Sequence, residues 1–283
     1  MKSPVLVLEA GGGLGRGVVE AALAQRRPVI AVGGDPDALA PLRSAHPHAD
    51  LTLVAGSIAT DAECEALAST LRSVSRGIGG VILGYCGRPE PGRMLDQPAD
   101  MLAQHLAHEL VPRLAAARQL LPLLAEGGRN GTFVVIGSPG SDHPWAGYGY
   151  RSVAAAAATM LVRVLHDEAR AVGVRVQMLA VSRPVRTVEN GDRACQGWPA
   201  AQDIGVQALA LIDQADPQLP VQAVVRYEAR KPAARVGERA PSNALAADAA
   251  TRSLGLDSQR VVDVAWAVLE PILEAAREKN PAR

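Results

Sequence analysis

The stretch Val5-Leu6-Val7-Leu8-Glu9-Ala10-Gly11-Gly12-Gly13-Leu14-Gly15-Arg16-Gly17-Val18-Val19 limits the folds open to this chain more than any other. An apolar run of strand length passes into glycines at 11, 12, 13, 15 and 17 and continues, unbroken, into a helical pattern reaching residue 24. Strand, tight turn and helix N-terminus together make a phosphate-binding device. Backbone N–H groups and the positive end of the helix dipole face the anion, and absent Cβ atoms let it come close. The spacing Gly-x-Gly-x-x-Gly is not met, because Arg16 or Val18 stands where the third glycine is required. The spacing Gly-x-x-x-Gly-x-Gly is met by Gly11, Gly15 and Gly17. A nucleotide phosphate is the expected occupant, with Gly11, Gly13, Gly15, Arg16 and Gly17 as its cradle.

The rest of the chain repeats this strand-to-helix unit. Further apolar strands read at 28–32, 51–54, 80–84, 132–136, 174–180 and 221–227, with helical patterns between them. Asp35 followed by Pro36 reads as an N-cap with proline at the first helical position. Thr60-Asp61-Ala62-Glu63 is a capping box that opens a helix ending near Leu71. A fourth helical stretch runs from 98 to about 124, a fifth from 150 to 171 and a sixth from 201 to 212. Within the fourth, Pro112 has no N–H, so the His108 carbonyl loses its helical partner and a kink is expected.

Seven short apolar strands alternating with helices predict an α/β fold: a Rossmann-type, doubly wound, mainly parallel seven-stranded sheet in three αβα layers. Residues 1–228 form this domain. Residues 229–283 read as an irregular connection followed by an amphipathic C-terminal helix at 258–278, packed on the domain or on a partner subunit.

Charge and cysteine content narrow the function classes. With formal net charge of zero, no bulk field draws the protein to nucleic acid or an anionic membrane. Cys64, Cys86 and Cys195 have neither metal-ligand spacing nor a disulfide framework, so no metal site is expected and a reducing, cytoplasmic location is the default. The few apolar residues after Met1 are too short for a signal peptide or a membrane span. Amines are scarce: Lys2, Lys231 and Lys279 are the only lysines, all at or near the chain ends.

Three landmarks, in this order and spacing, carry a family resemblance: the turn Ala10 to Gly17, Ile136-Gly137-Ser138 at the end of the fifth strand, and the sixth strand with its following turn up to Thr187. Over roughly residues 4 to 228 the chain resembles the short-chain dehydrogenase/reductase family. The resemblance implies NAD or NADP as cofactor and hydride transfer to or from a small carbonyl or alcohol substrate. It also implies Ser138 as the serine that hydrogen-bonds the substrate oxygen, and Thr187 as a contact to the cofactor's carboxamide or phosphates. A homodimer or homotetramer through the fourth and fifth helices is implied as well, and the alanine run from Ala154 to Ala158 would permit close packing there.

The departures from the family pattern concern its chemistry. Such enzymes carry Tyr-x-x-x-Lys on the fifth helix, where the lysine lowers the tyrosine's pKa and binds the nicotinamide ribose. Here Tyr148 is followed four residues on by Ser152 and Tyr150 by Ala154, while an ungapped count back from Gly173 puts Arg151 and Ala155 in the two slots. The lysine is missing on every register. Tyr150, nearest the slot, and Tyr148 are the candidate phenols, and without a nearby cation a phenol is a poor acid-base catalyst at neutral pH. Arg151 is a candidate substitute cation, although its planar fork suits anions better than it tunes a proton donor. His143 is a possible acid.

Other family positions change too. The helix-four asparagine falls at or near Glu109, the Asn-Asn-Ala-Gly segment is Gly84-Tyr85-Cys86-Gly87, and the Pro-Gly turn is Ser182-Arg183. Asp35 is either a ribose contact favouring NAD or a helix cap. Arg16 meets a pyrophosphate, a 2′-phosphate or solvent. Two functions stay open: an NAD(P)-dependent oxidoreductase with an altered site, and a catalytically degenerate homologue that binds a dinucleotide or a partner without hydride transfer.

Overall fold

The strands β1 (Val5–Leu8), β2 (Val29–Gly33), β4 (Gly80–Leu83) and β5 (Thr132–Ile136) are buried at every residue, which is why their sequences are apolar without alternation. With β3 (Leu51–Ala55), β6 (Arg175–Ala180) and β7 (Val224–Arg226) they form one sheet, entirely parallel, in the order β3-β2-β1-β4-β5-β6-β7. These are features of a computed structural model, described for residues 2–74, 77–84, 91–127, 131–214 and 221–229. Backbone contacts gather Met1–Arg230 into one unit and Lys231–Arg283 into a second. The connection and C-terminal helix expected at 229–283 lie, Ala229 apart, outside the described residues, as do Tyr85, Cys86 and Gly87.

Alternate residues of each strand feed two cores. Leu6 and Leu8 join the layer formed with α3 (Asp61–Ser73), α5 (Val111–Glu126) and α6 (Gly149–Ala169). Val5 and Val7 join the layer formed with α1 (Gly13–Ala24), α2 (Pro36–Ala45) and α7 (Ala201–Asp213). The three-layer α/β fold is therefore the one its strand and helix periodicities predict. Between β1 and β4 the strand order reverses direction, and such a switch point opens a crevice beyond the C-terminal ends of the strands.

The fourth helical stretch departs from expectation. Instead of one kinked helix it is two, α4 (Asp100–Glu109) and α5, separated at Leu110. Pro112 is the second residue of α5, a position where its missing N–H costs nothing. The N–H groups of Arg113 and Leu114 both reach the Leu110 carbonyl, at 3.1 and 3.3 Å, so a new helix starts there. The last strand is also shorter than its apolar run. Both predicted caps form: Asp35 Oδ1 accepts from the Asp37 N–H at 2.9 Å, and Thr60 Oγ1 from the Glu63 N–H at 3.2 Å.

Gly17 serves packing. A Cβ there would strike the Ala201 Cβ and lie 2.7 Å from the Ala201 carbonyl carbon, so α1 reaches the start of α7 only without a side chain at this point. Gly17→Val is expected to destabilise the fold by about 1–3 kcal/mol through overpacking, read as a lowered midpoint in chemical denaturation.

Candidate functional site

The chain leaves β1 through Glu9, whose φ of 56° is in the left-handed region. None of the glycines between 11 and 17 has a positive φ; what the turn needs from them is space. A Cβ on Gly15 would run into the Glu9 carbonyl oxygen and stand 2.7 Å from the Ala10 Cα. The first intrahelical bond of α1 runs from the Arg16 N–H to the Gly12 carbonyl at 2.9 Å. The N–H groups of Gly13, Leu14 and Gly15 precede it and have no partner inside the helix. The N-cap Gly12 offers α1 no side-chain cap and the first turn holds no acid, so the helix itself supplies no negative charge at its positive end. Burial raises the Glu9 carboxyl above the ordinary glutamate value at the foot of this turn.

The cleft has a volume of about 400 Å³ and opens at the switch point. Glu9 and the glycine turn line one side, Gly84 and Pro139 the floor after β4 and β5, and Thr187 and Asn190 the loop after β6. Tyr148 and Arg151, at the start of α6, line it as well, together with Trp145 and Trp198. This volume is in the range of small-molecule sites. Residues that could hold a dinucleotide are thus present in the right order: amides of a helix N-terminus, glycines without a Cβ, and Thr187 beside Gly13.

Arg151 is the charged lining residue contributed by α6. It is 5% exposed, and its Nη1 donates to Glu109 Oε1 at 3.3 Å. Glu109, 2% exposed, is the last residue of α4, and its Oε2 has no hydrogen-bond partner among the described residues. A buried ion pair therefore joins the two positions that stand nearest the family's helix-four asparagine and its tyrosine. Neither member signals the other in the sequence, because 42 residues and the break at Leu110 separate them.

The tyrosines divide. Tyr148 lines the cleft and stacks on Trp145, ring centroids 4.3 Å apart. Ser152, four residues on, braces this corner: its Oγ donates to the Tyr148 carbonyl at 3.0 Å and accepts from the Trp145 N–H at 2.8 Å. Tyr150 is buried away from the cleft. Its ring stacks on His105 at 4.8 Å, and its hydroxyl lies 3.4 and 3.5 Å from the carbonyl oxygens of Met94 and Pro98. The structure thus corrects the expectation that Tyr150 is the better placed phenol: one step along a helix is a 100° rotation, and it is Arg151 that turns to the cleft.

The remaining candidates fall as follows. Ser138 is buried, 4% exposed, just before the floor residue Pro139. Thr187 lines the cleft, its N–H donating to Asn190 Oδ1 at 2.8 Å. Gly13 and Gly15 line the cleft, whereas Gly11 packs on Ala38 of α2 and Gly17 on α7. Arg16 folds back, donating to the carbonyls of Gly11 and Ala38 at 3.0 and 3.2 Å. Asp35 is committed to capping α2, and His143 is exposed in its loop. Glu9, Asn190 and Trp198 went unnoticed in the sequence, where only the Asn-Gly pair at 190–191 marks a turn. Among the described residues no cluster of His, Cys, Asp or Glu is arranged for a metal, and no helix is long and apolar enough to cross a membrane.

A parallel sheet in this strand order, with a glycine turn at its switch point, defines a dinucleotide-binding α/β protein. The short chain dehydrogenase family model matches residues 3–190, and the chain belongs to that family. No curated protein sequence matches it. Among solved structures, a short-chain type dehydrogenase/reductase from Mycobacterium ulcerans superposes with a TM-score of 0.70 at 19% identity, over 80% of this chain and 88% of that one. A short-chain dehydrogenase from Streptomyces avermitilis matches over 99% of both chains, with a TM-score of 0.66 at 20% identity. An NADPH-bound short-chain oxidoreductase from Pseudomonas aeruginosa, described as having an atypical catalytic center, matches at 0.65 and 18% over 76% of this chain and 90% of that one. At these identities the likeness is one of fold.

Removing the carboxylate from the buried pair is expected to be costly. Glu109→Ala should lower stability by about 3 kcal/mol, and Glu109→Met combined with Arg151→Met should recover most of it, as measured by urea denaturation.

Proposed function

We propose that the protein is an NAD(P)-dependent oxidoreductase acting on a small carbonyl or alcohol substrate through an altered site, in which Arg151 receives the substrate oxygen. One observation carries this reading. A guanidinium, buried against Glu109, lines the same cleft of about 400 Å³ as the first turn of α1. The family's cofactor chemistry and the NADPH held by the Pseudomonas aeruginosa neighbour support a dinucleotide in that cleft.

The bound dinucleotide would supply or accept the hydride. The amides at Gly13, Leu14 and Gly15 would hold its pyrophosphate, and Thr187 would contact it from the loop after β6. Arg151 donates N–H groups to the substrate oxygen and stabilises the negative charge that develops there during reduction. A guanidinium does not give up a proton near neutral pH, so Arg151 positions and polarises but is no acid. Tyr148, whose ring lines the same cleft, or a water beside it, delivers the proton. Glu109 holds the guanidinium against the wall, and Trp145 and Trp198 limit access of water.

Initial rates with NADH and NADPH over a panel of aldehydes and ketones test the proposal. Arg151→Ala is expected to lower kcat/KM by about 100-fold or more, while Tyr150→Phe changes it little. Wild-type turnover no greater than that of Arg151→Ala would sink the assignment. Ala155 in the lysine slot favours a second reading, a homologue that holds the dinucleotide without hydride transfer; cofactor binding with no turnover across the panel is its signature. The scattered cysteines fit a cytoplasmic site of action in either case.

We also infer a homodimer or homotetramer through α5 and α6. Val111 and Leu114 on α5, with Val153, Met160 and Val164 on α6, are large apolar residues left exposed on the surface those helices would share. Light scattering on the purified chain is expected to give the mass of two or four copies, and a monomer at micromolar concentration would exclude the interface.

A further inference from the structure

The place expected for a phosphate holds a carboxylate of the protein itself. A Cβ on Gly13 would run into Glu189 Oε2 and lie 2.6 Å from the Thr187 Cβ, so the Glu189 side chain rests directly on the first residue of α1. Its Oε1 is 3.8 Å from Arg16 Nη1. Helices α2 and α3 carry their own N-terminal acids and caps, whereas α1 has neither. Glu189 supplies from across the cleft the negative charge that a helix start favours. The segment bearing it is a short hook after β6, closed by two bonds: the Thr187 N–H to Asn190 Oδ1 at 2.8 Å and Asn190 Nδ2 to the Val185 carbonyl at 3.0 Å.

We propose that Glu189 is an internal phosphate mimic, so that a dinucleotide enters by displacing its carboxylate from the glycine turn. This rests on the reading that the turn seats a pyrophosphate. The carboxylate and a phosphate oxygen cannot share the space over Gly13, and both carry negative charge. The Glu189 side chain is 49% exposed and its pair with Arg16 is long, so the carboxylate is displaced at small cost and is taken up by water. Glu189 therefore sets affinity without forbidding binding. At rest on Gly13 it places a negative charge at the positive end of α1. Binding thus exchanges one anion for another and moves the hook bearing Thr187.

The test titrates the full chain with NADPH, NADH and inorganic pyrophosphate by calorimetry, comparing wild type with Glu189→Gln, Glu189→Ala and Asp192→Asn. Asp192 lies exposed on the same loop, and its substitution removes an equal charge away from the turn. Both Glu189 variants are expected to tighten the dinucleotide and pyrophosphate by about three- to tenfold, while Asp192→Asn leaves them unchanged. Unchanged or weaker binding in the Glu189 variants overturns the proposal, as does equal tightening by Asp192→Asn. If pyrophosphate tightens but no dinucleotide binds, the displacement stands and the oxidoreductase reading falls. If neither ligand binds wild type or variants, both fall.

Discussion

A sheet covered on both faces has no room for polar chemistry along its strands. β1, β2, β4 and β5 are buried throughout, with Leu6 and Leu8 committed to one core and Val5 and Val7 to the other. Everything that can meet a ligand is therefore pushed to the strand ends, and parallel pairing puts all the C-terminal ends at one edge. The cleft is assembled there from the turn after β1, Gly84 after β4, Pro139 after β5 and the loop after β6. Both of its ends present N–H donors. The turn side offers helix amides, and the α6 side offers a guanidinium neutralised by Glu109.

That ion pair is better understood as a positioning device than as a source of stability. Two charges withdrawn from water gain little net free energy even when well paired, and one Glu109 oxygen has no hydrogen-bond partner among the described residues. A carboxylate at the last residue of α4 also faces the negative end of its own helix dipole. What the arrangement achieves is a fixed guanidinium at the cleft wall. The break at Leu110 contributes to it, because restarting the helix at Val111 lets α4 end where Glu109 reaches α6.

The glycine turn has divided roles of a kind that spacing cannot reveal. Gly11, Gly15 and Gly17 meet one motif, yet Gly11 and Gly17 make room for α2 and α7, and Gly15 makes room for the turn's own backbone. Gly13, outside that spacing, is the one on which Glu189 lies. The left-handed residue that the turn requires is Glu9, a position with no sequence signal for it.

Strand and helix identities, the caps at Asp35 and Thr60, the glycine turn and the missing lysine were all legible in the sequence, because each depends on residues within one turn or one strand of each other. The family followed from the order of three such local landmarks. Which of Tyr148, Tyr150 and Arg151 faces the cleft was not legible, since neighbouring helical residues point 100° apart and the docking of α6 on the sheet selects among them. Nor were the pairing of Arg151 with Glu109 and the seating of Glu189 on Gly13, contacts spanning 42 and 176 residues. The sequence by itself determined a dinucleotide-type fold in which no lysine follows Tyr148 or Tyr150 at the fourth residue. Only the tertiary structure decided which charges meet in the cleft, because Coulomb and hydrogen-bond partners are chosen by distance in space.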